Sequence, residues 1–302
     1  MCGRSGGLYA RAVHSTAAPA ATRRSGSGGR LLGLLAASHP GPALTVTVVA
    51  TVLAASAGRG PGGTALTASA VLTGQLSVGW CNDRADLHRD IATGRSDKPL
   101  AAGTVTPRAV ATAALCALAL CVPLSLANGP AAGGVHLAGV ALAWSYNLGV
   151  KRTPLSWLPY AAAFGLLPAV VTLALPTHPW PAAWVMAAGA LLGIGAHASN
   201  VLPDIEDDLT TGVRGLPQRL GARRARLLAA VPLLAASAVL VLGPSTPPGP
   251  LEWTGLAVTA ALAAIIALPP RSGARSRLPF TATLLLAVLD AALLVLRGNA
   301  LT

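Results

Sequence analysis

The amino-acid sequence predicts an all-α, polytopic membrane bundle of nine transmembrane helices around a central cavity. Three observations lead there. Of the 302 residues, 53% are hydrophobic and only 11% are charged, against about 25% charged in soluble domains, so the chain cannot cover a water-facing surface. Apolar stretches close to the roughly 20 residues needed to cross a bilayer recur from end to end, separated by short breaks rich in Pro and Gly. When these stretches are threaded back and forth with the N-terminus inside, every lysine and arginine except Arg59 and Arg297 falls on the inner side, which is the positive-inside bias of membrane proteins.

Residues 1–30 mix Gly, Ser and Ala with Arg4, Arg11, Arg23, Arg24 and Arg30 and hold almost no bulky apolar side chains. That composition predicts a disordered basic tail. No apolar run of signal-peptide type precedes Leu31, so a cleaved signal is not expected. Residues 31–302 form the expected transmembrane domain, with spans near 38–57, 63–83, 109–127, 134–150, 156–175, 182–203, 227–243, 252–269 and 278–296. The first is the most interrupted: Pro40, Gly41 and Pro42 delay its start or leave it tilted and short. Breaks fall at 58–63, 128–134, 176–181 and 243–250, where Pro and Gly gather.

The net charge is +12. On a soluble protein this would suggest nucleic acid; on this apolar chain the bilayer is the partner, through its anionic headgroups, and no nucleic acid is implied. Cys2, Cys81, Cys116 and Cys121 form no C-x-x-C pair, so neither a disulfide framework nor a zinc site is indicated.

The threading places the inner ends of the second, fourth and sixth spans together with the acids. Asn82, Asp86 and Asp90 recur every four residues with Asp83 beside them, so on a helix of about 3.6 residues per turn they share one face. Asn200, Asp204 and Asp208 repeat the spacing, with Glu206 and Asp207 between. Stacked carboxylates repel each other unless they share a cation, and Mg²⁺ is bound through carboxylate oxygens together with substrate phosphates. Asp207, three residues from Asp204, is expected on the metal side and Glu206 in solvent. Arg95 and Lys98 follow the first series, within reach of phosphate oxygens. A solvated helix end is the plainer alternative for the first series, but ionisable groups at membrane depth are by default functional.

Other polar residues admit simpler readings. Lys151 and Arg152 serve either phosphate binding or topology, and Arg223, Arg224 and Arg226 read as topology anchors. Trp144, Trp157 and Trp180 fit an interfacial belt. His136 and His178 are expected in outer loops and His88 in an inner one, without ligand spacing. Asp290, inside the last span, either caps a kink or faces a water pocket.

The chain resembles the UbiA-type membrane prenyltransferases. The first signature reads Asn82-Asp83-x-x-Asp86-x-x-x-Asp90, followed by Arg95-x-x-Lys98-Pro99-Leu100; the second reads Asp204-x-x-x-Asp208 with Gly212 and Leu216-Pro217. Tyr146, followed by Lys151-Arg152, is similar to the family's tyrosine and lysine segment. The resemblance covers about residues 31–296. It implies that Mg²⁺ held by Asn82, Asp83, Asp86, Asp90, Asn200, Asp204, Asp207 and Asp208 grips an isoprenyl diphosphate, with Arg95, Lys98, Lys151, Arg152 and Arg214 on the diphosphate. It also implies catalytic roles for Asp86, Asp204, Tyr146 and Lys151, and transfer of the allylic cation to a hydrophobic or aromatic acceptor. Lys98 stands where many relatives carry arginine, and His39-Pro40 where many carry Arg-Pro.

The expected protein is therefore a multi-pass plasma-membrane enzyme whose site faces the cytoplasm. A terpene cyclase on the same scaffold ionises its substrate with the same parts, and only its product differs. An ion transporter would spread its acids across membrane depth, whereas Asp83, Asp86, Asp90, Asp97, Asp204, Glu206, Asp207 and Asp208 gather at one face. A non-catalytic scaffold gives the acids no purpose.

Overall fold

The computed structural model describes residues 27–269 and 277–296, and every regular element among them is helical. The helices are α1 (Ser27–Ala37), α2 (Pro40–Ser56), α3 (Gly60–Ala92), α4 (Pro107–Leu126), α5 (Pro130–Leu148), α6 (Leu158–Thr172), α7 (Ala183–Val201), α8 (Ile205–Thr210), α9 (Leu216–Leu242), α10 (Pro250–Ala267) and α11 (Leu278–Leu296). Two 3₁₀ turns, Val150–Arg152 and Leu202–Asp204, interrupt the series. Pro stands in the first turn of α2, α3, α4, α5, α6, α9 and α10, where its missing N–H has no intrahelical partner to lose.

Each expected span falls on a helix, from α2 through α7 and from α9 through α11. Five stretches, Pro107–Leu126, Ala183–Thr210, Leu216–Leu242, Pro250–Ala267 and Leu278–Leu296, are long and apolar enough by themselves to cross a membrane, and the bent pair of α1 and α2 makes a sixth. α3 and α5 fall outside that set because small and polar residues dilute them; α6 is apolar but has only 15 residues. Large apolar side chains point outward from the bundle, among them Val48, Leu115, Leu120, Val231, Val258 and Leu285. Such a surface suits lipid rather than water, and the chain is a multi-pass integral membrane protein.

The helices close on one another. α3 packs on α2, α4 and α5; α6 lies between α5 and α7; α9 lies between α7 and α10; α11 returns to α2 and α7. Leu53, Val171, Val185, Leu240 and Leu294 join α2, α6, α7, α9 and α11 in one apolar cluster. The α6–α7 contact depends on small residues: a Cβ at Gly189 would lie 2.5 Å from the Phe164 carbonyl oxygen, and one at Gly193 would lie 2.4 Å from that of Tyr160. This is the close small-xxx-small approach of membrane helices.

Several expectations change. The first span, α2, follows α1 at a bend of 63°, with His39 at the break in the left-handed region (φ 55°); Pro40 starts α2 instead of delaying it. α3 runs on to Ala92, so the whole first acid series is helical. The second series does not share one continuous helix. α7 ends at Val201, Pro203 sits in a 3₁₀ turn, and α8 begins at Ile205, because proline cannot continue the ladder of amide bonds.

His136 lies inside α5, buried against the Ser125 hydroxyl at 2.7 Å, not in a loop. Trp144 is half-buried and donates to Ser77 Oγ at 3.2 Å, a packing role more than an interfacial one. Arg59, expected with Arg297 on the outer side, ties three connections together by donating to the Ala174 carbonyl and to Asn128 Oδ1 (2.6 Å). Residues 1–26 of the expected tail, with Arg4, Arg11, Arg23 and Arg24, lie outside the described residues, as do Cys2, Arg271, Arg275 and Arg297. α1 begins at Ser27, within the last residues of that expected tail.

Candidate active site

The C-terminal turns of α3, the turn at Val150–Arg152, the break between α7 and α8, and the start of α9 meet at one end of the bundle. Their side chains form three linked groups.

The first group is centred on Arg89. Its guanidinium donates to Asp86 Oδ2 and Asp208 Oδ1, both at 2.9 Å, and more weakly to Asp90 Oδ1 at 3.4 Å. Asp86 and Asp90 belong to α3 and Asp208 to α8, so one guanidinium spans both acidic motifs. Its own position follows from the helix: Arg89 is three residues beyond Asp86 and shares its face. The Lys151 ammonium donates to the other Asp86 oxygen, and Gln218 Nε2 donates to Asp208 Oδ2 at 2.8 Å. Asp86, Asp90, Asp208 and Lys151 are all nearly inaccessible to water. Burial pulls the Lys151 ammonium below its ordinary range, with Asp86 opposing that shift.

The second group sits on the loop after α3. Arg95 donates to Asp204 Oδ1 at 2.7 Å and forks onto Asp97 at 2.9 and 3.1 Å; Arg277 also reaches Asp97 at 2.8 Å. The Arg95 hydrogen bonds hold the Asp97 carboxyl down at about 2, with its partial burial opposing, and Asp97 in turn raises the Arg95 guanidinium further. An open cleft of about 200 Å³ lies between Arg95, Asp97, Pro203, Asp204 and Arg277. Leu100 and Val105 anchor the loop by packing with Leu87 and Val110.

The third group joins the α1–α2 break to α3. Asp83 Oδ1 accepts from Lys98 Nζ at 2.7 Å and pairs with His39 Nε2 at 2.8 Å. Gly79 makes this possible: a Cβ there would lie 2.1 Å from the Ser38 carbonyl oxygen, so only glycine lets the break settle onto α3. Asp83 Oδ2 is buried without a hydrogen-bond partner.

The remaining expected residues occupy the margins. Asn82 Nδ2 donates to Asn147 Oδ1 at 3.0 Å. Asn200 is exposed at the end of α7, on the side of the Tyr160 hydroxyl. Asp207 is half-buried and Glu206 exposed, the order expected of them. Tyr146 is buried edge-on against Tyr160 and His197, with centroids 5.1 and 5.5 Å away. Arg152 and Arg214 are exposed and form no ion pair among the described residues. Asp290 is buried and accepts from Ser237 Oγ at 2.8 Å, sharing no partner with the three groups.

Sequence reasoning missed Arg89, Gln218 and the pairing of His39. The spacing of Arg89 from Asp86 carried that signal; nothing in the sequence marked Gln218. Among the described residues no three acids, histidines or cysteines stand arranged to hold a metal ion, and Arg89, Arg95, Lys98 and Lys151 each donate to a carboxylate of the two motifs. The donors nonetheless suit a hard divalent cation: apart from His39 they are oxygens, and the Asp83 Oδ2 oxygen lacks a partner.

Fold and site together define a multi-pass membrane protein with paired aspartate motifs meeting at one end of its helices, and the chain belongs to the UbiA prenyltransferase family, which it matches over residues 43–295. Among individual proteins, it is 30% identical over 175 residues to the bacteriochlorophyll synthase 33 kDa chain of Cereibacter sphaeroides, a match covering 56% of each chain. The chain thus spans a little over half the length of this curated relative.

Two solved structures share the fold. A UbiA homologue from Archaeoglobus fulgidus, bound to GPP and Mg²⁺, superposes with a TM-score of 0.63 at 16% identity, covering 87% of this chain and 99% of that one. Digeranylgeranylglyceryl phosphate synthase gives 0.59 at 14% identity, covering 88% and 96%.

Proposed function

We propose that this protein transfers an isoprenyl group from an isoprenyl diphosphate to a hydrophobic or aromatic acceptor, with Mg²⁺ as cofactor. The observation that carries the reading is Arg89 in contact with Asp86, Asp90 and Asp208, since it brings both motifs to one point. Family membership and the diphosphate-bound Archaeoglobus homologue support it. The crowding of Lys and Arg at the same end supports a site facing the cytoplasm from the plasma membrane.

Asp83, Asp86, Asp90, Asp204, Asp207 and Asp208 would hold Mg²⁺, with Asn82 and Asn200 beside them. When bound, the metal supplies Lewis acidity to the departing diphosphate. Arg95, Lys98 and Lys151 give that diphosphate charge-assisted hydrogen bonds as its negative charge develops. The electron pair of the broken carbon–oxygen bond leaves with the diphosphate, the acceptor's π electrons form the new bond to the allylic cation, and an aromatic acceptor gives up the displaced ring proton to the released diphosphate. Tyr146, packed with Tyr160 and His197, presents an aromatic wall that favours a cation and excludes water. Arg152 and Arg214, exposed and without an ion pair among the described residues, either add to the diphosphate contacts or serve as topology anchors.

The test is purified protein in detergent with Mg²⁺ and a panel of five-carbon to polyprenyl diphosphates, with and without quinone and phenolic acceptors, read by mass spectrometry. The expected result is a prenylated acceptor that disappears on chelation. A cyclic hydrocarbon or alcohol formed without acceptor would replace this reading with cyclisation, and no diphosphate release from any donor would refute both.

A further inference from the structure

Arg89 holds together carboxylates that a divalent ion would otherwise have to hold. Asp86, Asp90 and Asp208 bring three negative charges into a region where each is at most 4% exposed. Arg89 and Lys151 bring two positive ones, so the cluster is close to neutral before any metal arrives. A divalent cation entering alone must break the Arg89 hydrogen bonds and leave a guanidinium only 19% exposed without an anion, which is costly. A cation arriving with diphosphate brings new acceptors for the same fork of N–H groups.

We propose that Arg89 is a resident counter-ion that makes divalent-metal binding conditional on diphosphate, turning from the carboxylates to the diphosphate when the two enter together. The inference rests on the Mg²⁺ reading of the same site and adds the order of loading to it. The three carboxylates face one guanidinium, which donates to Asp86, Asp90 and Asp208. A resident counter-ion gives the enzyme a reason not to bind free Mg²⁺ unproductively, since metal affinity and diphosphate affinity become reciprocally coupled.

The experiment is Mn²⁺ binding to the full chain in detergent, followed by electron paramagnetic resonance with free manganese–pyrophosphate subtracted. Wild type, Arg89→Leu and Arg89→Lys are compared with and without inorganic pyrophosphate. Wild type is expected to bind Mn²⁺ weakly alone and about ten-fold or more tightly with pyrophosphate, within the usual range of coupling. Arg89→Leu should bind Mn²⁺ alone about ten-fold more tightly than wild type and lose most of the pyrophosphate effect. Arg89→Lys, which keeps the charge but not the fork, should fall between, and it carries the test if the leucine variant does not fold. Equal Mn²⁺ affinity and equal pyrophosphate coupling in all three would overturn the role of Arg89 while leaving the metal reading intact. No Mn²⁺ binding by any of them, even with pyrophosphate, would overturn the metal reading itself and this inference with it.

Discussion

Lys151→Met removes one half of the most enclosed ion pair among the described residues, and the structure predicts an asymmetry. Lys151 and Asp86 each keep only 5% of their side-chain surface in contact with solvent. Without Lys151, Asp86 still accepts from Arg89 at 2.9 Å, so the loss should be that of one charge-assisted hydrogen bond, about 1.5–3 kcal/mol. Without Asp86, as in Asp86→Leu, the Lys151 ammonium loses the acceptor it holds and stays buried, which costs about 3–5 kcal/mol. The double variant should be less unstable than the two losses added together, with a coupling of about 1.5–3 kcal/mol. Reversible unfolding in mixed micelles, titrated with denaturing detergent, measures all four corners of the cycle. Additive losses, within about 0.5 kcal/mol, or a lysine variant that costs more than the aspartate variant, would refute the reasoning.

Three further outcomes are expected. Gly79→Ala should lower the melting temperature, by the equivalent of about 1–3 kcal/mol for an overpacked contact, because its methyl would lie 2.1 Å from the Ser38 carbonyl; thermal denaturation in detergent checks it. Asp97 has its carboxyl held at about 2, mainly by Arg95, below the ordinary value of about 3.9. Its stabilisation is therefore fully present above pH 4 and lost as pH falls towards 2, so the melting difference between wild type and Asp97→Asn should be constant from pH 7 to 5 and shrink below about 4. Asp290→Asn keeps an acceptor for Ser237 and should leave diphosphate release at the wild-type rate in a direct assay.

The first acid series could be read directly because it lies on one unbroken helix, where four-residue spacing means one face. The second could not be placed the same way. Pro203 breaks α7 from α8, so Asn200, Asp204 and Asp208 point to different neighbours despite equal spacing; the proline was the available signal. Arg89 was legible as a charge but not as a bridge, since its third partner, Asp208, is 119 residues away and only the tertiary fold brings it near. His39 was similarly hidden, for its contact with Asp83 depends on the bend at the α1–α2 break and on a glycine in α3. His136 follows a break rich in Gly and Pro, but Pro130 starts α5 there and so carries His136 into the helix. The bundle itself was plain from hydropathy and charge bias, which report on the surrounding lipid rather than on particular contacts.

The central claim is that the two aspartate motifs act as one site, and rates of diphosphate release from a prenyl diphosphate test it most directly. Asp86→Asn, Asp208→Asn and the double variant are compared with wild type at saturating Mg²⁺, after confirming that each folds. Groups that act as a unit give losses that do not multiply, so each single change is predicted to slow release about 100-fold or more, with the double variant about as slow as either one. Full activity in Asp208→Asn, or a double loss equal to the product of the two single losses, would contradict the account.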